Sequence, residues 1–186
     1  FGNSWQICRP GYAFTVSFGG RVQEWTDGQG HLHAKWVDTQ KVLGVPWDTP
    51  IAGFQNDTVN TLRLWQARAS AEFDLTVFND GDYVRAVEDK NESEIISKVL
   101  YPNDESLQGK ELRLEQQYFF VTCSLQDMFR ILRTQHLPVA RFHEKFAIQL
   151  NDTHPSIAVA ELLRLLLDEE VLPWEEAWDS VTRTFA

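Results

Sequence analysis

Apolar and polar positions alternate through the first third of the chain. Phe14, Val16 and Phe18 are separated by Thr15 and Ser17, the period-two pattern of a half-buried strand. The turn-rich "TDGQGH" at 26–31 leads into a second extended pattern, "HAKWVDTQKVLGV", which predicts a hairpin. "VPWDTPIAGF" holds two prolines and a glycine and predicts a loop, whereas "VNTLRLWQARA" at 59–69 alternates again and predicts a long strand. The period changes near Phe78. "DGDYVRAVED" and "ESEIISKVL" predict two short helices, with Tyr83, Val84 and Val87 on one face. Leu112, Phe119, Thr122, Leu125, Phe129 and Leu132 recur at three-to-four spacing and predict a long helix over 111–133. Its central "YFFVTC" is apolar most of the way round, as expected of a stretch buried on several sides. After Pro138 the pattern predicts a strand over 145–150 and helices over 155–169 and 174–185. The fold class is α/β, with a β-rich part over 1–75 and a mainly helical part over 76–186 that includes the strand 145–150.

Composition narrows the classes. At 186 residues the chain is about one domain, and 43% hydrophobic with 24% charged residues is globular rather than disordered. A formal net charge of −10 repels phosphate polyanions, and no run of five or six basic residues offsets it, so nucleic acid is excluded as a partner. Cys8 and Cys123 are far apart and have no metal-site or disulfide spacing, which points to a reducing, cytoplasmic setting. The longest apolar run is broken by Glu161 and Arg164, so no membrane span is expected. The sequons at Asn56, Asn91 and Asn151 are read as chance matches. The first residues, "FGNSWQICRP", carry neither an initiating Met nor a signal pattern and suggest a piece of something longer.

Two polar clusters carry candidate chemistry. In "AIQLNDTHPS", Asn151, Asp152, Thr153 and His154 follow the predicted strand, and ligands of open α/β sheets bind beyond the carboxyl ends of strands. Thr153 is a candidate N-cap with Pro155 in the first turn, which would leave helix N–H groups facing a ligand. Capping residues also look like this with no function attached. In "YPNDESLQGKELR" a loop with Pro, Asn, Asp and Ser precedes Gly109, Lys110 and Glu111, expected to open the long helix with Arg113 in its first turn. A cation there is unfavourable by up to about 1 kcal/mol unless it meets an anion or a carboxylate. The seven tryptophans could stack on sugars, but most fall at strand or helix positions where core packing explains them.

Together, "VLYPNDES", "QGKELRLEQQYFFV" and "IQLNDTHPSIAVAELLRLLLDEE" with "LPWEEAW" resemble the α-glucan phosphorylases, the glycogen, starch and maltodextrin phosphorylase family. The likeness continues upstream through "KWVDTQKVLGVPWDTPIAGFQNDTVNTLRLW" and spans essentially all of the chain; "RPGYAFTVSFGGRV" is looser, and "RTQHLPVARFHEK" is shorter than in the larger animal enzymes. The resemblance implies a Rossmann-like part of a two-domain, GT-B type glycosyltransferase. This chain would be the middle and later part of the N-terminal domain, without the C-terminal cofactor domain. It implies transfer of the terminal α-1,4-linked glucose of a glucan to inorganic phosphate, giving glucose 1-phosphate with retention. Pyridoxal phosphate would serve as cofactor. None of the lysines at 35, 41, 90, 98, 110 and 145 stands in a setting like the family's cofactor-binding motif.

By the same resemblance, Asp152 and His154 line the glucose subsite, with Asn151 beside them, and Arg113 matches an active-site arginine. Tyr101, Asn103, Asp104 and Glu105 belong to a mobile loop at the catalytic mouth. An acidic residue at 104 repels the substrate phosphate until the loop moves. The family commonly has an amide at the Glu105 position. Arg130 is followed by Ile131 where nucleotide-controlled members carry two arginines, which predicts weak or absent nucleotide activation. Tyr83 corresponds to a helix that reaches the neighbouring subunit, so the parent is expected to be a homodimer. A non-catalytic carbohydrate-binding or regulatory protein on the same scaffold is the alternative.

Overall fold

The computed structural model describes residues 4–28, 30, 32–70, 83–100 and 102–186, with side chains at all of these except 32–33 and 83–90. It is a mixed α/β chain. Its elements in order are β1 (Ile7–Cys8), β2 (Phe14–Phe18), β3 (Arg21–Thr26), β4 (Leu32–Val37), β5 (Gln40–Ala52) and β6 (Val59–Ala69). Then follow α1 (Tyr83–Lys98), α2 (Leu107–Thr134), α3 (Phe142–Lys145), α4 (Ala158–Arg164) and α5 (Trp174–Thr184). No helix among the described residues is long and apolar enough to cross a membrane. Contacts divide the chain into two compact units, one of residues 1–16 and 41–116, the other of residues 17–40 and 117–186.

The first unit is built on β5. This strand pairs antiparallel with β6 from Val42↔Ala69 to Ala52↔Val59, and with β1 at Ile7↔Asp48 and Cys8↔Trp47. The expected loop over "VPWDTPIAGF" is therefore corrected: Pro46 and Pro50 lie inside β5. Backbone N–H and C=O of one strand residue point the same way, and the Pro46 carbonyl accepts the Arg9 N–H at 2.9 Å. The carbonyl of Arg9 instead accepts from Tyr12 N–H at 3.0 Å, so the N–H that Pro46 lacks leaves no acceptor stranded. Val16, Val42, Val45, Trp65, Ala67 and Ile96 are buried, and α1 packs on β6, where Ser97 Oγ accepts the Ala67 N–H at 2.8 Å. The two predicted short helices are one 16-residue helix, α1; its Tyr83–Val87 face lies outside the described side chains, as does the predicted boundary at 75/76.

Asp48 is the charged centre of this unit. Its carboxylate, 9% exposed, takes Arg63 Nε at 2.7 Å and Nη2 at 2.8 Å, a bidentate pair, and Arg9 Nε at 3.3 Å. The hydrogen bonds from Arg63 hold the Asp48 carboxyl below the usual carboxylate range, against the opposing effect of burial.

The second unit joins a hairpin to a helical core. β3 and β4 pair antiparallel from Arg21↔Val37 to Thr26↔Leu32, as the sequence predicts. Gly20 is left-handed at φ 73°, and a Cβ there would lie 2.4 Å from the Val37 carbonyl oxygen, so the hairpin needs glycine at that point. In α2, Val121, Leu125, Phe129 and Leu132 form one stripe that packs with Phe142, Ala158, Leu162, Leu165, Leu166, Ala177 and Val181. Phe119, Val121, Thr122 and Cys123 are all buried, so the "YFFVTC" reading holds. Helix α2 ends where His136 turns left-handed at φ 55° and Leu137 N–H bonds back to the Leu132 carbonyl at 3.0 Å.

Three expectations fail in this region. The segment 145–150 is not a strand: α3 occupies Phe142–Lys145, and beyond it the chain is in only one β-bridge, Ile148 parallel to Phe185. Ile148 N–H donates to Thr184 O at 2.7 Å and Ala186 N–H to Ile148 O at 2.9 Å. The helix expected at 155–169 begins only at Ala158 and passes into a π-helical turn over Leu165–Glu169. Successive turns fill 153–158, with Ser156 N–H on Thr153 O and Ala158 N–H on Pro155 O, so Thr153 is not an N-cap and α4 presents no open N-terminus. The tryptophans also differ from expectation: only Trp65 is buried, while Trp5, Trp25, Trp174 and Trp178 are exposed.

A buried carboxylate ties these elements. Glu161 of α4, 3% exposed, accepts from Thr122 Oγ1 at 2.5 Å and from Tyr118 OH at 3.4 Å, both on α2. It also accepts Arg164 Nε at 2.8 Å and Nη2 at 3.0 Å. The Arg164 guanidinium lies 5.6 Å from the Trp36 ring centroid and reaches Glu169 at 3.2 Å. Burial and the nearby Glu161 charge push the Tyr118 phenol above its usual range. Burial is the largest single influence on the Arg164 pKa and lowers it, but the hydrogen bonds and charge of Glu161, with Tyr118 and Glu169, together outweigh it and raise the value.

Two outcomes are expected of the chain in urea unfolding. Asp48 has a folded pKa depressed below 3.8, so its contribution is complete above that value and is lost as pH falls through the lowered folded value. Asp48→Asn should flatten the fall in stability below pH 3.8; an unchanged acid profile would refute the assignment. Glu161→Ala removes the shared acceptor of Thr122 and Tyr118 and leaves Arg164 with only Glu169 and Asp168, and should cost about 3 kcal/mol, with a loss under about 1 kcal/mol contradicting the role given to the network.

Candidate functional site

The polar tetrad stands at the end of the extended segment and above the helical core. Ile148, Leu150 and Pro155 contribute with Phe120, Leu125 and Met128 to an apolar groove of about 240 Å³. The chain leaves this apolar footing at Asn151, and Asp152 turns left-handed at φ 66°, a conformation that Asp and Asn tolerate better than most residues. Asp152 Oδ1 accepts the Thr153 N–H at 2.5 Å and the Thr153 hydroxyl at 3.2 Å. Its Oδ2 lies 3.7 Å from His154 Nε2, and the two side chains are 61% and 38% exposed. One carboxylate oxygen therefore stitches the turn and the other meets the imidazole. Asn151 is exposed beside them. The arrangement offers a carboxylate acceptor and an imidazole to hydroxyl groups arriving from solvent.

The second cluster is a loop folded onto the start of α2. Ser106 caps the helix, its Oγ accepting Gly109 N–H at 3.1 Å while its carbonyl accepts Lys110 N–H at 3.1 Å. The helix thus begins at Leu107, before the predicted Glu111, and Arg113 falls in its second turn rather than its first. Asn103 Oδ1 accepts Glu105 N–H at 3.0 Å, an Asx turn. A Cβ on Gly109 would lie 1.8 Å from the Asn103 carbonyl oxygen, so glycine lets this loop lie against the helix. Arg113 Nη1 meets Asp104 Oδ2 at 2.6 Å with both side chains partly exposed. Glu105 is exposed, and Tyr101 lies outside the described residues. Arg130 pairs with Asp127 at 2.7 Å.

Sequence reasoning missed Glu161 and Arg164 as a unit, treating them only as interruptions of an apolar run. The available signal was two opposite charges three apart inside that run, on a helix that had to bury most of its surface. Ser106 three residues before Gly109 was likewise a readable cap.

Neither cluster contains a sheltered lysine. An imine-forming lysine needs shelter from water, and the described lysine side chains at 35, 41, 98, 110 and 145 are all exposed, Lys98 being paired with Glu94 at 2.9 Å. These residues do not fit a pyridoxal phosphate site.

Comparison with known proteins gives the wider setting. The carbohydrate phosphorylase family matches residues 1–186. The chain is 54% identical over 184 residues to the glycogen phosphorylase of Synechocystis sp., covering 99% of the chain and 22% of that protein. It is 46% identical over 185 residues to glycogen phosphorylase of Chlamydia trachomatis, covering 100% of the chain and 23% of that protein. Against the muscle form of glycogen phosphorylase from Ovis aries it is 49% identical over 194 aligned positions, again covering 100% of the chain and 22% of the relative. The chain therefore spans about a fifth of the length of these curated relatives. With a match along its whole length, the chain belongs to the carbohydrate phosphorylase family.

Proposed function

We propose that this chain is the part of an α-glucan phosphorylase that holds the terminal glucose of the glucan. The reaction is transfer of that α-1,4-linked glucose to inorganic phosphate, giving glucose 1-phosphate with retained configuration. The observation that carries the reading is the solvent-facing Asp152–His154 pair on its left-handed turn. A sugar presents hydroxyls that both donate and accept, and the pair answers both requirements. Asp152 is a positioning carboxylate: Oδ1 anchors the turn, and Oδ2 stands 3.7 Å from His154 Nε2, close enough to orient the imidazole once a ligand draws them together. His154 and Asn151 contact the sugar.

Asn103, Asp104 and Glu105 belong to the loop at the catalytic mouth, with Arg113 of α2 against it, and Tyr101 is assigned to the same loop by the family resemblance. Asp104 occupies the guanidinium of Arg113, so an arriving phosphate competes with a carboxylate for that cation. Movement of the loop releases the charge. Glu105 adds a further exposed negative charge to this loop. Arg130 followed by Ile131 leaves one cation for an effector phosphate, and nucleotide activation is weak or absent.

The parent architecture in this proposal is of the two-domain GT-B type. Support comes from the parallel bridge between Ile148 and Phe185, whose ends are joined through α4 and α5 in the manner of a βαβ unit. The cofactor, pyridoxal phosphate, is held outside this chain, because its described lysines are exposed. The parent is a cytoplasmic homodimer in which the helix beginning at Tyr83 meets the second subunit.

Two experiments test the proposal. In the full-length parent, Asp152→Asn keeps a residue that accepts the left-handed backbone but removes the charge. It should lower kcat/KM for maltoheptaose roughly 100-fold while leaving the unfolding midpoint nearly unchanged; full activity would sink the role given to Asp152. The 186-residue chain mixed with phosphate, maltoheptaose and pyridoxal phosphate should yield no glucose 1-phosphate and no imine absorbance. Cofactor-dependent product from the chain alone would overturn the placement of the cofactor site.

A further inference from the structure

The chain between α1 and α2 is attached to α2 along one line of that helix. Gly109, Arg113 and Gln116 stand at i, i+4 and i+7, so they share a face. Each meets a different point of the chain that precedes the helix. Gly109 lets the Asn103 carbonyl lie against the backbone, since a Cβ there would come within 1.8 Å of that oxygen. Arg113 takes the Asp104 carboxylate at 2.6 Å. Gln116 Nε2 donates to the Val99 carbonyl at 2.5 Å.

The three contacts differ in permanence. The Arg113–Asp104 pair is partly exposed, and such pairs are weak. Gly109 is buried, and Gln116 is only 5% exposed. Val99 and Leu100 are 56% and 60% exposed, so their side chains do little to hold the chain at this point, and the Gln116 amide attaches it. Carbonyls at the end of a helix lack a helical N–H to accept, and Gln116 supplies one to the residue just past α1. An apolar residue would fill the same buried place at lower cost, because glutamine gives up more rotamer freedom and its amide must be desolvated. The amide is explained by the bond it makes, and that bond fixes the point from which residues 102–105 depart.

We propose that Gln116 is a positioning residue that sets how strongly Asp104 competes with substrate phosphate for Arg113. Gln116 fixes the near end of the loop as Gly109 fixes its far end, and the exposed ion pair between them is the contact free to exchange. With both ends held, Asp104 is returned to the same cation, and an arriving anion must displace a carboxylate that is kept in place. The inference rests on the proposed reading of Asp104 and Arg113 as groups at the catalytic mouth. It adds a buried residue that acts on the phosphate through the loop rather than by touching it.

The test uses the full-length parent. Gln116→Met keeps the volume of the side chain and removes the donor. Deuterium uptake across residues 102–106 should quicken roughly fivefold, while uptake over residues 119–132 of α2 stays unchanged. The KM for phosphate should fall roughly threefold, with the KM for maltoheptaose unchanged. Asp104→Asn should lower the phosphate KM by itself, and Gln116→Met added to it should lower it no further, because the amide acts through that carboxylate. If the Met variant does not fold, Gln116→Glu, equal in size and unable to donate once ionised, takes its place with the same expectations. Unchanged uptake, or effects of Gln116 and Asp104 that simply add, would overturn the inference. Faster uptake along the whole of α2, the mark of a purely structural residue, would overturn it too. A parent that shows the local change in uptake yet performs no phosphorolysis would leave the attachment standing and remove the function proposed above.

Discussion

A carboxylate without access to water must be given its hydrogen bonds by the protein, and Glu161 sets that requirement on its unit. Its oxygens draw Thr122 and Tyr118 from α2 and the guanidinium of Arg164 from one turn further along α4. A hydrophobic residue in the same place would be satisfied by many registers of one helix on another. The carboxylate accepts few, because each donor must arrive at hydrogen-bond distance. The apolar cluster around Phe129, Leu132, Leu162 and Leu166 supplies the gross stabilisation; Glu161 selects one arrangement of it.

That arrangement determines what happens a few residues earlier in the chain. With Ala158 and Leu162 fixed against α2, the turns over 153–158 have a rigid end, and the segment through Ile148 and Leu150 is fixed by its bonds to Thr184 and Ala186. The intervening residues must reverse between these anchors, which places Asp152 in the left-handed region. An exposed polar pair on a rigid footing is the kind of element that can orient a ligand without reorganising. The Asp104–Arg113 pair is of the opposite kind: both side chains are partly exposed, so it adds little to stability, as the proposed competition with an anion requires.

Much of this was legible in the chain. Alternation at Phe14–Phe18 and at 59–69, and the stripe from Phe119 to Leu132, correspond directly to β2, β6 and α2, because each side chain type repeats with the period of its element. The errors have local physical causes. Pro46 and Pro50 read as a loop, yet a strand tolerates proline where its neighbour asks for no N–H. "KFAIQL" has the composition of a strand, but it meets a partner only at Phe185, so a single bridge is all it forms. Thr153 and Pro155 look like a helix start, whereas tight turns hold the chain until Ala158. An anionic partner for Arg113 was expected from a first-turn position that the residue does not hold, although it does meet Asp104; the Glu161 network was not foreseen, because Thr122 and Tyr118 are dozens of residues away in sequence. Family resemblance supplied the roles that patterning could not, since a carboxylate that orients a sugar and one that fixes a turn are the same letter.

The most direct test of the account is a crystal structure of the full-length parent with a maltooligosaccharide and phosphate bound. The account predicts the terminal glucose within hydrogen-bonding distance of His154, with Asp152 Oδ2 behind the imidazole and Oδ1 still on the Thr153 N–H. A sugar bound away from residues 151–154, with the Asp152 carboxylate covered by apolar side chains of the completed protein, would contradict it.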